Sequence, residues 1–190
     1  MLGYIGKWVL LAAIGLSGTG IGYAQGAVEQ LQPLVETSAH RLAIAEQVAL
    51  SKWDSRAAVE DAPREMQVIL GAVKNSEGKG LDEKLVTSFF KAQIEANKVV
   101  QYSLLADWER AGKAPVHTSI NLAGTIRPEL DQVQTALVAE LVATVDVRAS
   151  STCHADLAKA VGRYLSAHAG EGGALRAIAL DRSLAAACTK

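Results

Sequence analysis

The sequence predicts an all-α protein, and three features of composition and pattern support this. Apolar residues make up 49% of the chain, aromatic residues only 5%, and there are only four prolines, a composition that allows long helices. Alternating β-branched runs bounded by turn residues, which are typical of strands, do not occur in the sequence. Apolar residues instead recur at helical spacing between Gly and Pro breaks. We therefore expect a six-helix bundle with long first and third helices, formed by one domain over residues 25–190.

The first 24 residues have the pattern of a cleavable signal peptide. Lys7 is their only charged side chain, and a short apolar core follows from Trp8 to Leu16. Gly22-Tyr23-Ala24 then supplies a small-x-small cleavage site. The apolar core is shorter than the roughly 20 residues that span a bilayer, so an uncleaved anchor is the less favoured alternative. We expect the mature chain to begin near Gln25.

The first predicted helix runs from Pro33 to about Val59 and carries two cations on one stripe. Arg41 and Lys52 are eleven positions apart, which is about three helical turns, so their side chains nearly eclipse each other. Apolar residues separate them on that stripe. Buried cations need anions, supplied by the chain or by a ligand. The alternative is that both long side chains extend from the stripe into solvent.

The second and third helices follow breaks at Pro63 and at the Ser76–Gly80 loop. The second carries apolar residues at i, i+3, i+4 and i+7, namely Met66, Ile69, Leu70 and Val73. The third is predicted from about Leu81 to Ala111, ending before Gly112. Asn97 and Gln101 interrupt its apolar stripe one turn apart. Buried neutral amides also need partners, so this helix carries a second polar anomaly on an inward face.

The last three helices are predicted near Pro128, over Cys153–Ala169 and over Leu175–Cys188. Because two antiparallel helices joined by a tight turn bring their outer ends together, Cys153 and Cys188 are expected to form a disulfide in an exported protein. The alternative is a metal site that adds His154 and His168, although their spacing matches no common zinc pattern. His40 and His117 are predicted to be surface or loop residues.

The candidate site is a set of cations and neutral amides on inward faces, with two carboxylates beside them. Its members are Arg41, Lys52, Asp61, Arg64, Glu65, Asn97, Gln101 and Arg127. Arginine forks suit the carboxylates of a small dianion, and the amides can donate to an ether or hydroxyl oxygen. Since 19 basic residues balance 20 acidic ones, charge gives no reason to expect nucleic acid or an anionic membrane surface as partner.

The order and spacing of these residues resemble the all-helical, AroQ-type chorismate mutases. The resemblance rests on Arg41…Lys52-Trp53, on Asp61-x-x-Arg64-Glu65, and on Gln93-Ile94…Asn97…Gln101-Tyr102…Asp107-Trp108, and it spans the chain from about Gln30 to Cys188. The leader, the additional C-terminal helices and the cysteine pair are similar to the exported, gamma subclass. This resemblance implies an isomerase of aromatic amino-acid biosynthesis that converts chorismate to prephenate by an intramolecular rearrangement, without a cofactor or covalent intermediate.

The resemblance also implies a role for each residue of the candidate site. Arg41 and Arg64 would hold substrate carboxylates, and Arg127 would complete the pocket from the same chain. Lys52 and Gln101 would donate to the ether oxygen from opposite sides. Asp61 and Glu65 match positions near the substrate hydroxyl, and Asn97 matches a position that usually carries Ser or Thr.

Alternatives to these roles remain at the three residues before and within the second helix. Asp61 would serve only as its N-cap, Glu65 only as a solvated first-turn acid, and Arg64 only as a partner of Asp61. Such readings are weaker for Arg41, Lys52 and Gln101, because inward polar groups without an internal partner are costly.

The resemblance further implies a homodimer, with each pocket within one chain, in the periplasm or secreted. The rival function is an exported helical module that binds small dicarboxylates without turnover. It would need the arginines, but not Lys52 together with Gln101.

Overall fold

The computed structural model describes residues 26–170 and 172–190, and every regular element in them is helical. The predicted leader, residues 1–24, lies outside these described residues. Seven α-helices and one π-helical turn follow in chain order: α1 (Ala27–Ser55), α2 (Ala62–Ser76), α3 (Glu83–Ala111), the π turn (Leu122–Ile126), α4 (Arg127–Ala143), α5 (Val145–Arg148), α6 (Cys153–Ala167) and α7 (Gly173–Ser183). The all-α prediction is confirmed, and each of the six predicted helices is present, but the described residues contain seven α-helices. The four-residue α5 and the π turn were not predicted.

Helix α1 begins six residues earlier than predicted and contains Pro33 in its interior. Proline lacks the N–H that would continue the ladder, which is why the sequence favoured a start at Pro33. Leu31 is fully buried in the core, and Val28 packs against it. Burial of these side chains stabilises the additional turns despite the proline. The helix ends at Ser55, earlier than predicted, because Arg56 adopts the left-handed conformation with φ 57°.

Helices α2 and α3 begin and end where capping residues require. Asp61 and Asp82 cap their N-termini by accepting hydrogen bonds from the main-chain N–H groups of Arg64 and Leu85. Helix α3 ends at Ala111, because the C-cap Gly112 has a φ of 70°, which glycine readily adopts. These caps fix the residues at which α2 and α3 begin.

Helices α1 and α3 form the centre of the bundle. Helices α2 and α4 pack against α3 and α1 respectively, while α7 packs on α3 and α6 on α1. The largest fully buried apolar side chains lie between these helices and include Leu34, Ile44, Phe89, Phe90 and Leu137. Because α1 and α3 are in contact along their length, polar residues in the middle of both are brought together.

The C-terminal hairpin of α6 and α7 is joined to itself by a disulfide. Cys153 and Cys188 are bonded, with their Cα atoms 5.9 Å apart, which confirms the predicted pair. Neither thiol is therefore free to ligate a metal, and the alternative metal site is wrong. Beside this hairpin, the fully buried Arg148 donates to the main-chain carbonyls of Leu141 and Ala187. Its pKa is lowered by burial.

Removing the disulfide is expected to cost stability and spare activity. In the chain-entropy model, a loop of this length contributes about 4 kcal/mol. We expect the double variant Cys153→Ser/Cys188→Ser to lose stability of that order in urea titrations, compared with the oxidised protein. At temperatures where it stays folded its turnover should be unchanged, because the disulfide lies outside the cleft described below. An unchanged unfolding midpoint would contradict this prediction.

Candidate active site

One open cleft, of about 620 Å³ including its mouth, lies among α1, α2, α3 and the start of α4. All eight predicted site residues line it: Arg41, Lys52, Asp61, Arg64, Glu65, Asn97, Gln101 and Arg127. Lys98 also lines it and was not predicted. Apolar side chains complete the wall, namely Val48, Val59, Val68, Ile94, Leu122 and Leu130. The fold thus assembles the whole predicted set, from residues far apart in sequence, in one cavity.

Arg41 is a buried cation in the middle of α1. Its side chain is buried, with the residue only 5% exposed, and Nη1 donates to the main-chain carbonyl of Gln93 at 2.9 Å. Burial, and then the neighbouring Arg64, lower the pKa of Arg41 to about 10, so its guanidinium stays ionised at neutral pH. Within residues 26–170 and 172–190, no carboxylate forms a salt bridge with it. A charge in this position favours an anionic ligand.

Lys52 lies near the end of α1 and is held by the loop that follows. Its Nζ donates to the main-chain carbonyl of Val59 at 2.6 Å. Burial lowers the pKa of Lys52, and Asp61, Glu65 and Glu60 oppose that effect. An ammonium group carries three donors, so two N–H groups are still available after the Val59 contact. Lys52 can therefore donate to a ligand while the loop fixes its position.

The N-terminus of α2 contributes Asp61, Arg64 and Glu65 to the cleft. Asp61 is the N-cap, as one alternative proposed, and its main-chain N–H donates to Glu65 Oε1 at 3.4 Å. Arg64 pairs with Asp131 of α4 at 3.1 Å, so the alternative pairing with the Asp61 side chain is wrong. Glu65 is partly buried and lies 3.5 Å from Lys98, so it is more than a solvated acid. Asp61 can therefore cap α2 and line the cleft at the same time.

Asn97 and Gln101 form a buried chain of hydrogen bonds with α1. Asn97 Nδ2 donates to the main-chain carbonyl of Arg41 at 3.3 Å, and Gln101 Nε2 donates to Asn97 Oδ1 at 2.6 Å. The expectation that Arg41, Lys52 and Gln101 lack internal partners was therefore wrong. Each has one neutral partner. Both cations still have no anionic partner from the described chain at hydrogen-bonding distance, and Gln101 Oε1 has no hydrogen-bond partner there.

Lys98 is the cleft residue that sequence reasoning missed. Its side chain is 12% exposed and forms ion pairs with Glu60, Glu65 and Glu95 at 2.9, 3.5 and 2.8 Å. Burial lowers the pKa of Lys98, but the hydrogen bonds that its ammonium group donates to Glu95 and Glu60 outweigh this effect, and the net shift is upward. The i, i+3 spacing of Glu95 and Lys98 is typical of a solvated helix face, so it gave no signal of a site.

Arg127 lies on the cleft wall as the first residue of α4. Pro128 follows it in the first turn, where a missing N–H breaks no helical hydrogen bond. The irregular approach is organised by Asn121, whose Oδ1 accepts from the main-chain N–H of Gly124 at 2.8 Å before the π turn. The proline after Arg127 is thus compatible with an arginine at this edge of the cleft.

His117 pins the α3–α4 connection to α1, and this contact is expected to depend on pH. Its ring nitrogens lie 2.8 Å from the carbonyl of Pro115 and 3.0 Å from Asp54 Oδ2. Both contacts favour N–H donors, and the Pro115 carbonyl, followed by Asp54, raises the pKa of His117.

The stability that His117 adds should be complete below its ordinary pKa of about 6.5 and lost as pH rises through the raised folded value. We expect the Tm difference between the unsubstituted protein and His117→Gln to shrink accordingly on going from pH 5 to pH 8. His40 is also on the surface but lies 3.3 Å from Glu129, so the control substitution is His154→Gln, at an exposed histidine with no ion pair among residues 26–170 and 172–190. A difference that grows with pH would contradict this assignment.

Fold and cleft together define a class: an all-helical protein with a cationic cavity suited to a small dianion. A family profile described as chorismate mutase type II matches residues 32–102. The secreted chorismate mutase of Mycolicibacterium smegmatis is 31% identical over 84% of this chain and 87% of its own length. Two crystal structures of chorismate mutases are also similar. That from Burkholderia phymatum is 40% identical with a TM-score of 0.82, covering 87% of this chain and all of the other. That from Burkholderia thailandensis is 31% identical with a TM-score of 0.78, covering 84% and 99%.

The chain belongs to the chorismate mutase family of the all-helical type. The profile covers α1 to the middle of α3, which carry seven of the eight predicted site residues, and the longer matches extend to the C-terminal helices. Among the helices that the structure describes, none has the length and apolar character needed to cross a membrane.

Proposed function

We propose that the cleft converts chorismate to prephenate by an intramolecular [3,3] rearrangement, which makes the chain an isomerase. The observation that carries this proposal is the buried, ionised Arg41, which faces the cleft with Lys52 and Gln101 on the same wall. Chorismate has two carboxylates and an ether oxygen. It therefore offers an anion for each guanidinium and an acceptor for the remaining donors.

The arginines act by binding and by selecting a compact conformation of the substrate. Arg41 and Arg64 hold substrate carboxylates, and Arg127 closes the cleft from the start of α4. Holding both ends of the substrate brings together the two carbon atoms between which the new bond forms. This lowers the entropic cost of reaching the transition state. Clamps of this kind bind substrate and transition state about equally, so their loss raises KM more than it lowers kcat.

Lys52 and Gln101 act on the bond that breaks. Negative charge grows on the ether oxygen as the C–O bond lengthens, so donors placed there bind the transition state more tightly than the substrate. A million-fold acceleration requires about 8 kcal/mol. Two charge-assisted hydrogen bonds at about 1.5–3 kcal/mol each, together with the orientation effect, reach this order. The mechanism needs no cofactor and no covalent intermediate.

Carboxylates in the cleft keep its charge from trapping the product. Asp61 and Glu65 lie on the wall near Lys52, where they partly offset the cations and counteract the effect of burial on Lys52. In the proposed pose they face the substrate hydroxyl, to which a carboxylate can accept a hydrogen bond.

The test is to mix the purified protein with chorismate and follow the loss of chorismate absorbance. We expect many turnovers per protein molecule, with prephenate as product. Chorismate that binds and persists would instead support the non-catalytic dicarboxylate-binding module, which the family assignment does not favour.

Export is part of the same proposal. The curated relatives are named secreted chorismate mutases, and residues 1–24 have the pattern of a signal peptide. We propose a periplasmic or secreted protein of the gamma subclass that is cleaved near Gln25 and acts as a homodimer. Intact mass and light scattering of the exported protein test cleavage and assembly; a chain that retains Met1, or a monomer, would contradict them.

A further inference from the structure

Asn97 presents a hydrogen-bond acceptor, and nothing else, to position 101. The main-chain carbonyl of Arg41 can only accept, so the Asn97 atom 3.3 Å from it is the amide nitrogen. The other end of the same amide, Oδ1, then points along α3 and accepts from Gln101 Nε2 at 2.6 Å. All three residues are buried, with at most 7% of each exposed, so solvent cannot relax this arrangement.

The orientation of Gln101 follows from that of Asn97. Its nitrogen lies next to Asn97, and Oε1 is buried without a hydrogen-bond partner among residues 26–170 and 172–190. An amide nitrogen carries two hydrogens, so one is used on Asn97 and one is available to a ligand. Turning the Gln101 amide over would bring two oxygens together at Asn97, which is unfavourable in a buried site.

We propose that Asn97 is a positioning residue. The main-chain carbonyl of Arg41 orients its amide, so that Asn97 requires a hydrogen-bond donor at position 101. An amide meets this requirement, and an ionised carboxylate does not. This inference rests on the proposed function, in which Gln101 donates to the ether oxygen. It also gives a physical reason for the departure from the Ser or Thr of the resemblance, because a hydroxyl can donate or accept and an amide held at one end cannot.

The charged groups around position 101 bear on any carboxyl placed there. They are Arg41 and Lys52 from α1, Asp61 just before α2, Arg64 and Glu65 from α2, Lys98 from α3 and Arg127 from α4. The cations favour an ionised carboxyl, whereas the Asn97 oxygen and burial favour a protonated one. A comparison that changes only residue 97 leaves all these charges in place.

The experiment compares Gln101→Glu alone with Gln101→Glu combined with Asn97→Ser. In the single variant, kcat should rise on acidification, because only the protonated acid has a hydrogen to donate to the ether oxygen. In the double variant, the serine hydroxyl can turn and donate to the carboxylate. We expect the apparent pKa of the kcat profile to fall by about one unit, which is a tenfold change in proton affinity.

A matched control combines Gln101→Glu with Gln47→Ser, which removes an amide from the exposed face of α1. The apparent pKa of this control should equal that of Gln101→Glu alone. Asn97→Ser by itself should lower kcat while leaving the pH profile flat, because it introduces no titrating group. An identical apparent pKa in the two Gln101→Glu variants would overturn the proposal.

Carbon NMR titration of the carboxyl introduced at position 101 gives the same comparison without turnover. A pKa that falls on adding Asn97→Ser supports the proposal even if chorismate is not consumed, in which case only the proposed function fails. A pKa unaffected by residue 97 overturns the proposal even in an active enzyme. Circular dichroism of each variant identifies any that fail to fold, and for these Asn97→Ala replaces Asn97→Ser with the same expected direction.

Discussion

Arg41→Met is expected to raise the Tm of the protein and to raise KM for chorismate by about 100-fold. The lowering of the Arg41 pKa to about 10, from its ordinary value of 12.5, corresponds to about 3 kcal/mol against the ionised form in the folded state. Replacing a buried ion by an apolar side chain of similar size is often neutral or stabilising. Gln93 lies within α3, so its carbonyl keeps a main-chain partner after the change.

The loss of binding in this variant follows from the missing clamp. A hydrogen bond to a charged group contributes about 1.5–3 kcal/mol, and the upper part of this range gives the expected change in KM. Arg110→Met is a matched control, because Arg110 is exposed and pairs with its helical neighbour Asp107. It should leave both Tm and KM nearly unchanged. A large fall in Tm of Arg41→Met with KM preserved would mean that Arg41 is structural.

Lys52→Ala is expected to lower kcat by about 1,000-fold while the protein stays folded. Removing one donor from a site of developing negative charge costs about 100- to 1,000-fold in other enzymes, and Lys52 carries a full charge. The one hydrogen bond that it forms with the described residues, to the Val59 carbonyl in the α1–α2 loop, contributes little to the fold.

The control for this variant is Lys84→Ala, which removes an exposed lysine from α3, away from the cleft. Saturating steady-state rates and circular dichroism of both proteins give the comparison. A kcat of Lys52→Ala within a few-fold of that of the control would remove Lys52 from the proposed mechanism.

The site residues that could be predicted from the sequence are the polar ones that interrupt an apolar stripe at helical spacing. Arg41 and Lys52 are recognisable because both interrupt an apolar stripe at a whole number of turns. Asn97 and Gln101 interrupt a second stripe in the same way. The structure brings these stripes together because α1 and α3 pack on each other, so a pairing of two patterns visible in sequence was enough to predict the wall of the cleft.

What could not be predicted depends on contacts between segments far apart in sequence. Lys98 belongs to the cleft because Glu60 and Glu65 fold back on it, whereas its local spacing to Glu95 is that of a surface pair. Asn97 donates to a main-chain carbonyl of α1. Because every residue has such a carbonyl, the sequence does not indicate which one is contacted.

The start of α1 also could not be predicted from the local sequence. Pro33 is a local signal to begin a helix, and the burial of Leu31 against the core overrides it. Buried Arg148, which donates to carbonyls of the C-terminal segments, gave no signal because a single arginine after a helix is ordinarily a surface residue.

The cleft is expected to lower the activation barrier for the conversion of chorismate to prephenate as well as to bind chorismate. The most direct measurement is calorimetric titration of Lys52→Ala with chorismate, read beside the turnover of the same sample. Since Arg41, Arg64 and Arg127 remain, we predict that the dissociation constant rises by only about tenfold while kcat falls by about 1,000-fold. A variant that forms prephenate at the unsubstituted rate, or one that no longer binds chorismate at all, would contradict the account.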